Sequence, residues 1–97
     1  MKLSQEQIEQ IGNYFADKPV LKAYVFGSFA RGDADEKSDI DLIVELQPNH
    51  AMGLAYVGMV LDLQDMFSRK VDLLSSNALP PRLVPYINKD KQLIYER

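Results

Sequence analysis

Three features of this 97-residue chain have the types and spacing to do chemistry together. The first is Asp39-Ile40-Asp41 at the head of the run Asp39-Ile40-Asp41-Leu42-Ile43-Val44-Glu45-Leu46. On a strand, residues two apart share a face, about 6–7 Å from each other along the chain. The two carboxylates then stand side by side, while Ile40, Leu42 and Val44 turn to the other face and can be buried. Like charges held this close repel and are costly in a low dielectric. A divalent cation between them removes the difficulty. Hard oxygen ligands suit Mg²⁺, which commonly arrives with substrate phosphates. Taken alone, Asp-x-Asp also fits a strand with one solvated polar face.

The second feature is Gly27-Ser28, directly after a strand-like run and before a short helix-competent stretch. Glycine lets a ligand approach the backbone closely. Ser28 offers a hydroxyl, and the N–H groups that follow are the free donors of a helix start, where phosphate binds. Arg31 lies one turn on, within reach of the same anion as a bidentate donor. A Gly-Ser turn by itself is often only a turn; one placed shortly before a carboxylate pair is more specific. The third feature is Asp72, an acid inside Lys70-Val71-Asp72-Leu73-Leu74. If that strand lies beside the Asp39–Asp41 strand, three carboxylates converge. Such a trio can hold two metals about 3.5–4 Å apart, the arrangement that clamps an in-line phosphoryl displacement. The alternative is a strand-edge aspartate in water.

Rival readings are weaker. Asp33-x-Asp35-x-Lys37-x-Asp39 has the alternation of a calcium loop, but Lys37, Ser38 and Val44 stand where an EF-hand needs an oxygen ligand, a glycine and a bidentate glutamate. His50, the one histidine, reads as a solvated residue near a helix start. Arg69, Lys70 and Arg82 read as surface charge.

These residues need a scaffold. Ser4 with Gln7 forms a capping box, and Ile8, Ile11 and Phe15 follow at helical spacing up to Pro19. Val20 to Phe26 is rich in β-formers and predicts a strand; Asp33 to Ser38 predicts an exposed loop. Asp39 to Leu46 is the strongest strand signal. Ala51 to Phe67 predicts a helix with Met52, Tyr56, Met59/Val60, Leu63 and Met66/Phe67 on its core stripe, despite Gly53 and Gly58. Val71 to Leu74 predicts a strand. Pro80-Pro81 opens a short helix through Leu83, Val84 and Ile87, and Gln92 to Tyr95 is a last edge strand. The order α-β-α-β-α-β-α-β gives a single α/β domain over residues 1–97, with helices packed on a sheet.

Composition narrows the classes. Without cysteine there is no disulfide, thiolate metal site or cysteine nucleophile. That, with no leader segment in the sequence, makes a reducing cytoplasm the expected compartment. Fourteen acids against eleven bases give a net charge of −3, and no segment is basic, so stable nucleic-acid binding is disfavoured. The apolar stretches fall far short of a membrane span.

Phe26-Gly27-Ser28-Phe29-Ala30-Arg31-Gly32, Ser38-Asp39-Ile40-Asp41-Leu42 and Arg69-Lys70-Val71-Asp72-Leu73 together resemble the nucleotidyltransferase superfamily that includes DNA polymerase beta, and within it the minimal nucleotidyltransferases, or MNT proteins. The resemblance spans nearly the whole chain. It implies an α/β (α+β) fold, a small mixed sheet flanked by helices. It implies that Asp39 and Asp41 bind Mg²⁺, that Asp72 is the third acid and helps activate an attacking hydroxyl, and that Gly27 and Ser28 hold the triphosphate of ATP, with Arg31 at a family-like position. Many MNT proteins are similar to antitoxins that transfer AMP from ATP to a tyrosine of a helical HEPN ribonuclease toxin. Larger relatives carry a helical lid. Here the residues after Asp72 are taken up by a short helix and a strand, so a partner protein or a second copy is expected to complete the acceptor side. Two other functions compete: a module that inhibits its partner by occlusion, and nucleotidyl transfer to a small molecule such as an aminoglycoside-like acceptor.

Overall fold

The computed structural model describes residues 1–48 and 53–97. His50, Ala51 and Met52, and with them the expected start of the third helix, lie outside the described residues. Helix α1 (Gln5–Phe15) opens on the expected capping box: the Ser4 hydroxyl accepts from the Gln7 N–H at 3.1 Å, and the Gln7 side chain accepts from the Ser4 N–H at 2.8 Å. It is followed by β1 (Val20–Phe26), the single-turn α2 (Ser28–Arg31), β2 (Ile40–Leu46), α3 (Leu54–Phe67) and β3 (Val71–Ser75). A 3-10 turn (Pro81–Leu83) then runs into α4 (Val84–Asp90), and β4 (Gln92–Glu96) closes the order. Boundaries differ from expectation at four places. β3 and β4 each run one residue further, to Ser75 and Glu96. Asp39 stands just outside β2, and Pro80-Pro81 opens a 3-10 turn, because Pro85 cannot donate into a continuous α-helical ladder.

The strands form one mixed sheet in the order β3-β2-β1-β4. β1 is antiparallel to both β2 and β4, whereas β2 and β3 are parallel, a pairing that needs the long crossover supplied by α3. Alternation along the strands sorts the side chains. Val25, Leu42, Val44, Val71 and Leu73 are buried on one face with Ile11 and Phe15 of α1 and Met59 and Leu63 of α3. Asp41 and Asp72 point to the other face. The α3 stripe matches the expected one: Tyr56, Val60 and Phe67 pack against the same cluster at its margin. Tyr56 also donates its hydroxyl to the Leu73 carbonyl at 2.8 Å, tying α3 to β3. No described helix is long and apolar enough to cross a membrane.

Candidate active site

The parallel register of β2 and β3 sets Asp41 directly beside Asp72. On its other side Asp41 is paired with Phe26, the last residue of β1. The chain leaves β1 through Gly27, at φ +71°, and enters α2. Only glycine adopts this backbone without strain. The close approach is a second requirement: a β-carbon at position 27 would lie 2.5 Å from Oδ2 of Asp41. The Gly-Ser turn and the carboxylates are therefore one site. The Gly27 carbonyl accepts from the N–H groups of Ala30 and Arg31 at 3.0 Å each, leaving the earlier N–H groups of α2 without partners inside the helix.

Charge at this site is unbalanced. Asp41 is half-buried, and that burial pushes its carboxyl up to about 6. The Asp72 charge and a hydrogen bond shared with Asp72 act in the same direction, as does Asp39, while Arg31 opposes them. Lys70 extends its ammonium between the outer two acids, 3.8 Å from Asp39 and 4.0 Å from Asp72. The trio expected from sequence is thus brought to one sheet end. As placed, no group of three His, Cys, Asp or Glu side chains among the described residues closes around a metal position. The donor set nonetheless fits a hard divalent cation. All three acids offer oxygen, and the raised Asp41 carboxyl marks a place where added positive charge is favoured.

Arg31 is held more firmly than its sequence suggests. Its Nε donates to Asp33 at 3.1 Å and its Nη1 to Asp90 of α4 at 2.8 Å. Asp90 lies 59 residues away, so no local pattern announces the pair. Arg69, expected as surface charge, is instead a clamp. Its Nη1 donates to the carbonyls of Asp35 (3.0 Å) and Ser38 (2.8 Å), and its guanidinium stands 4.9 Å from the centre of the Phe29 ring. It fixes the loop that delivers Asp39 against the helix that follows Gly27. Its position in the Arg69-Lys70-Val71-Asp72 run was the one available signal, and reading Arg69 itself as surface charge passed it over.

Comparison with known proteins agrees with this geometry. The family described as "Polymerase beta, Nucleotidyltransferase" matches residues 9–97. A Methanocaldococcus jannaschii protein named "Putative protein adenylyltransferase" is 35% identical over 83 residues, covering 81% of this chain and 80% of its own. A second protein of that organism with the same designation is 36% identical over 64 residues, covering 66% and 68%. Among solved structures, one described as a "putative minimal nucleotidyltransferase" superposes with a TM-score of 0.63 at 30% identity, over 91% of this chain and 86% of its own. A toxin–antitoxin structure with AMP-PNP shares the fold with a TM-score of 0.77 at 19% identity, over 98% and 75%. So does a structure of a tri-AMPylated Shewanella oneidensis HEPN toxin in complex with MNT antitoxin, at 0.69 and 16%, over 97% and 74%. Sequence and architecture converge on one conclusion: the chain belongs to the polymerase beta nucleotidyltransferase family.

Proposed function

We propose that this protein transfers AMP from ATP to a hydroxyl of a partner protein, a tyrosine of a helical HEPN-type toxin, and thereby acts as its antitoxin. The observation that carries the transfer chemistry is the contact of Gly27 with Asp41, which makes the Gly-Ser turn and the acids a single site. The names of the Methanocaldococcus jannaschii relatives support a protein acceptor. The structural likeness to chains of toxin–antitoxin complexes is consistent with the toxin partner.

In this reading Gly27 and Ser28 hold the triphosphate against the start of α2, and Arg31 adds positive charge beside it. Asp39, Asp41 and Asp72 would hold Mg²⁺, which when bound supplies neutralisation of phosphate charge. Asp72 takes the proton of the acceptor hydroxyl. The acceptor oxygen forms its bond to the α-phosphorus as the bond to the departing pyrophosphate breaks. AMP on the acceptor places a bulky anion on the partner, which blocks it by sterics and charge. The test is the intact mass of the co-expressed partner. A gain of one or more AMP units with the wild type, and none with Asp39→Asn/Asp41→Asn, is the expected result. An unmodified partner inhibited equally by both forms would overturn transfer in favour of occlusion.

A further inference from the structure

The two acids that hold Arg31 are not equivalent. Its Nε donates to Asp33, whose side chain is 61% exposed, so water screens that pull. Its Nη1 donates to Asp90, the last residue of α4, whose side chain is only 12% exposed. A carboxylate there is poorly placed for the helix, because it adds negative charge to the end where the carbonyls already point. Taking it out of water adds a further cost that only a partner offsets. For α4 itself a neutral side chain would serve better. The group that gains from Asp90 is Arg31.

The same corner touches α2 a second time. Gln92 donates its Nε2 to the Ala30 carbonyl at 3.2 Å and is itself paired with Val25 of β1. Ile87, fully buried, anchors α4 one turn before Asp90. Residues 90–92 thus hold the short helix after Gly27 by a backbone carbonyl and by a guanidinium.

We propose that Asp90 is a positioning residue of the nucleotide site, fixing Arg31 in place to receive the triphosphate; this rests on the reading of Gly27, Ser28 and Arg31 as the triphosphate site. An arginine has five N–H donors, and the contacts to Asp33 and Asp90 use two of them. The remaining three have no partner among the described residues, so phosphate oxygens can be gripped without releasing Asp90. The guanidinium stands close enough to the acids for its charge to act on Asp41. A free arginine gives up rotamer freedom when it grips a phosphate, and one already held gives up less.

Charge and positioning predict opposite signs. If Asp90 acted only as a negative charge, removing it would tighten the binding of a polyanion. If it acts by holding Arg31, removing it weakens that binding. Titration calorimetry of the full chain with Mg²⁺ and AMP-PNP reads the sign. Asp90→Asn keeps the size of the side chain and suits a helix end, and melting followed by circular dichroism checks that the fold persists. The expected result is a dissociation constant raised about tenfold, the scale of one freed side chain, with part of the loss recovered by Asp90→Glu. Arg31→Met weakens binding further, and adding Asp90→Asn to it changes nothing more, because Asp90 acts only through Arg31. Unchanged or tighter binding in Asp90→Asn would overturn the proposal, as would a loss that persists in the Arg31→Met background. A wild type that binds no Mg²⁺–AMP-PNP would overturn the triphosphate reading itself, and the proposal with it.

Discussion

Asp41 sits between Phe26 and Asp72 with its carboxyl raised to about 6. A carboxyl that titrates higher in the folded chain than in the unfolded one holds its proton more tightly when folded. The stability this contributes is present below about pH 4 and is lost as pH rises through about 6. Asp41→Asn should therefore stabilise the metal-free protein at neutral pH by on the order of 1 kcal/mol, the half-exposed site being partly screened by water. It should also flatten the decline in stability between about pH 4 and about pH 6. Urea unfolding with a chelator across that range checks it; a variant that keeps the wild-type profile would show that the strain lies elsewhere. The same substitution should abolish transfer, separating fold from chemistry. The alternation of Asp39-Ile40-Asp41 and the lone acid of Val71-Asp72-Leu73 were legible as a carboxylate cluster because period-two patterning survives in sequence. The raised Asp41 carboxyl was not legible. It depends on β3 lying beside β2 in a register that aligns position 41 with 72, and local sequence does not encode register between strands 31 residues apart.

At the scale of elements, local signals were faithful and long-range ones were silent. The Ser4–Gln7 box, the strand of Val20 to Phe26 and the stripe of Met59 and Leu63 each follow from neighbours within a few residues. Arg69 shows the opposite case, because its partners Asp35 and Ser38 lie 34 and 31 residues back. Its clamp holds the loop that presents Asp39, so it positions the site without belonging to it. Arg69→Ala should cost about 2 kcal/mol of stability through the lost charge-assisted bonds. It should lower the rate of transfer about 10²-fold, the scale of a misplacement of about 1 Å, while ATP affinity changes little. Arg69→Lys should rescue stability more than rate, since an ammonium can reach the carbonyls but does not stack on Phe29 as a planar guanidinium does. Single-turnover kinetics beside nucleotide titration separates these effects; equal losses in binding and rate would mean that the clamp only holds the fold together.

Across the whole molecule, the sheet is assembled from both ends of the chain. The central strand β1 has β2 on one side and β4 on the other, and Phe15 of α1 lies 6.1 Å, ring to ring, from Tyr95 of β4. Phe15 is fully buried, so Phe15→Ala should cost about 3–5 kcal/mol. That is a large part of the ~5–15 kcal/mol that holds a domain together. The loss should appear as one cooperative transition in both helix and sheet signals; two separate transitions would contradict a single core. Arg97 adds a stitch across the same seam, donating to the carbonyls of Ala16 at 2.7 Å and Lys18 at 3.3 Å. This seam bears on the order of folding. Until β4 is added, β1 has one bare edge and α1 lacks part of its floor, even though β2 and β3 can already bring the acids of the candidate site together. A chain in that state offers a row of unpaired backbone groups to any other strand it meets. Adding β4 both covers that edge and pairs contacts some eighty residues apart in sequence, the slowest kind to form.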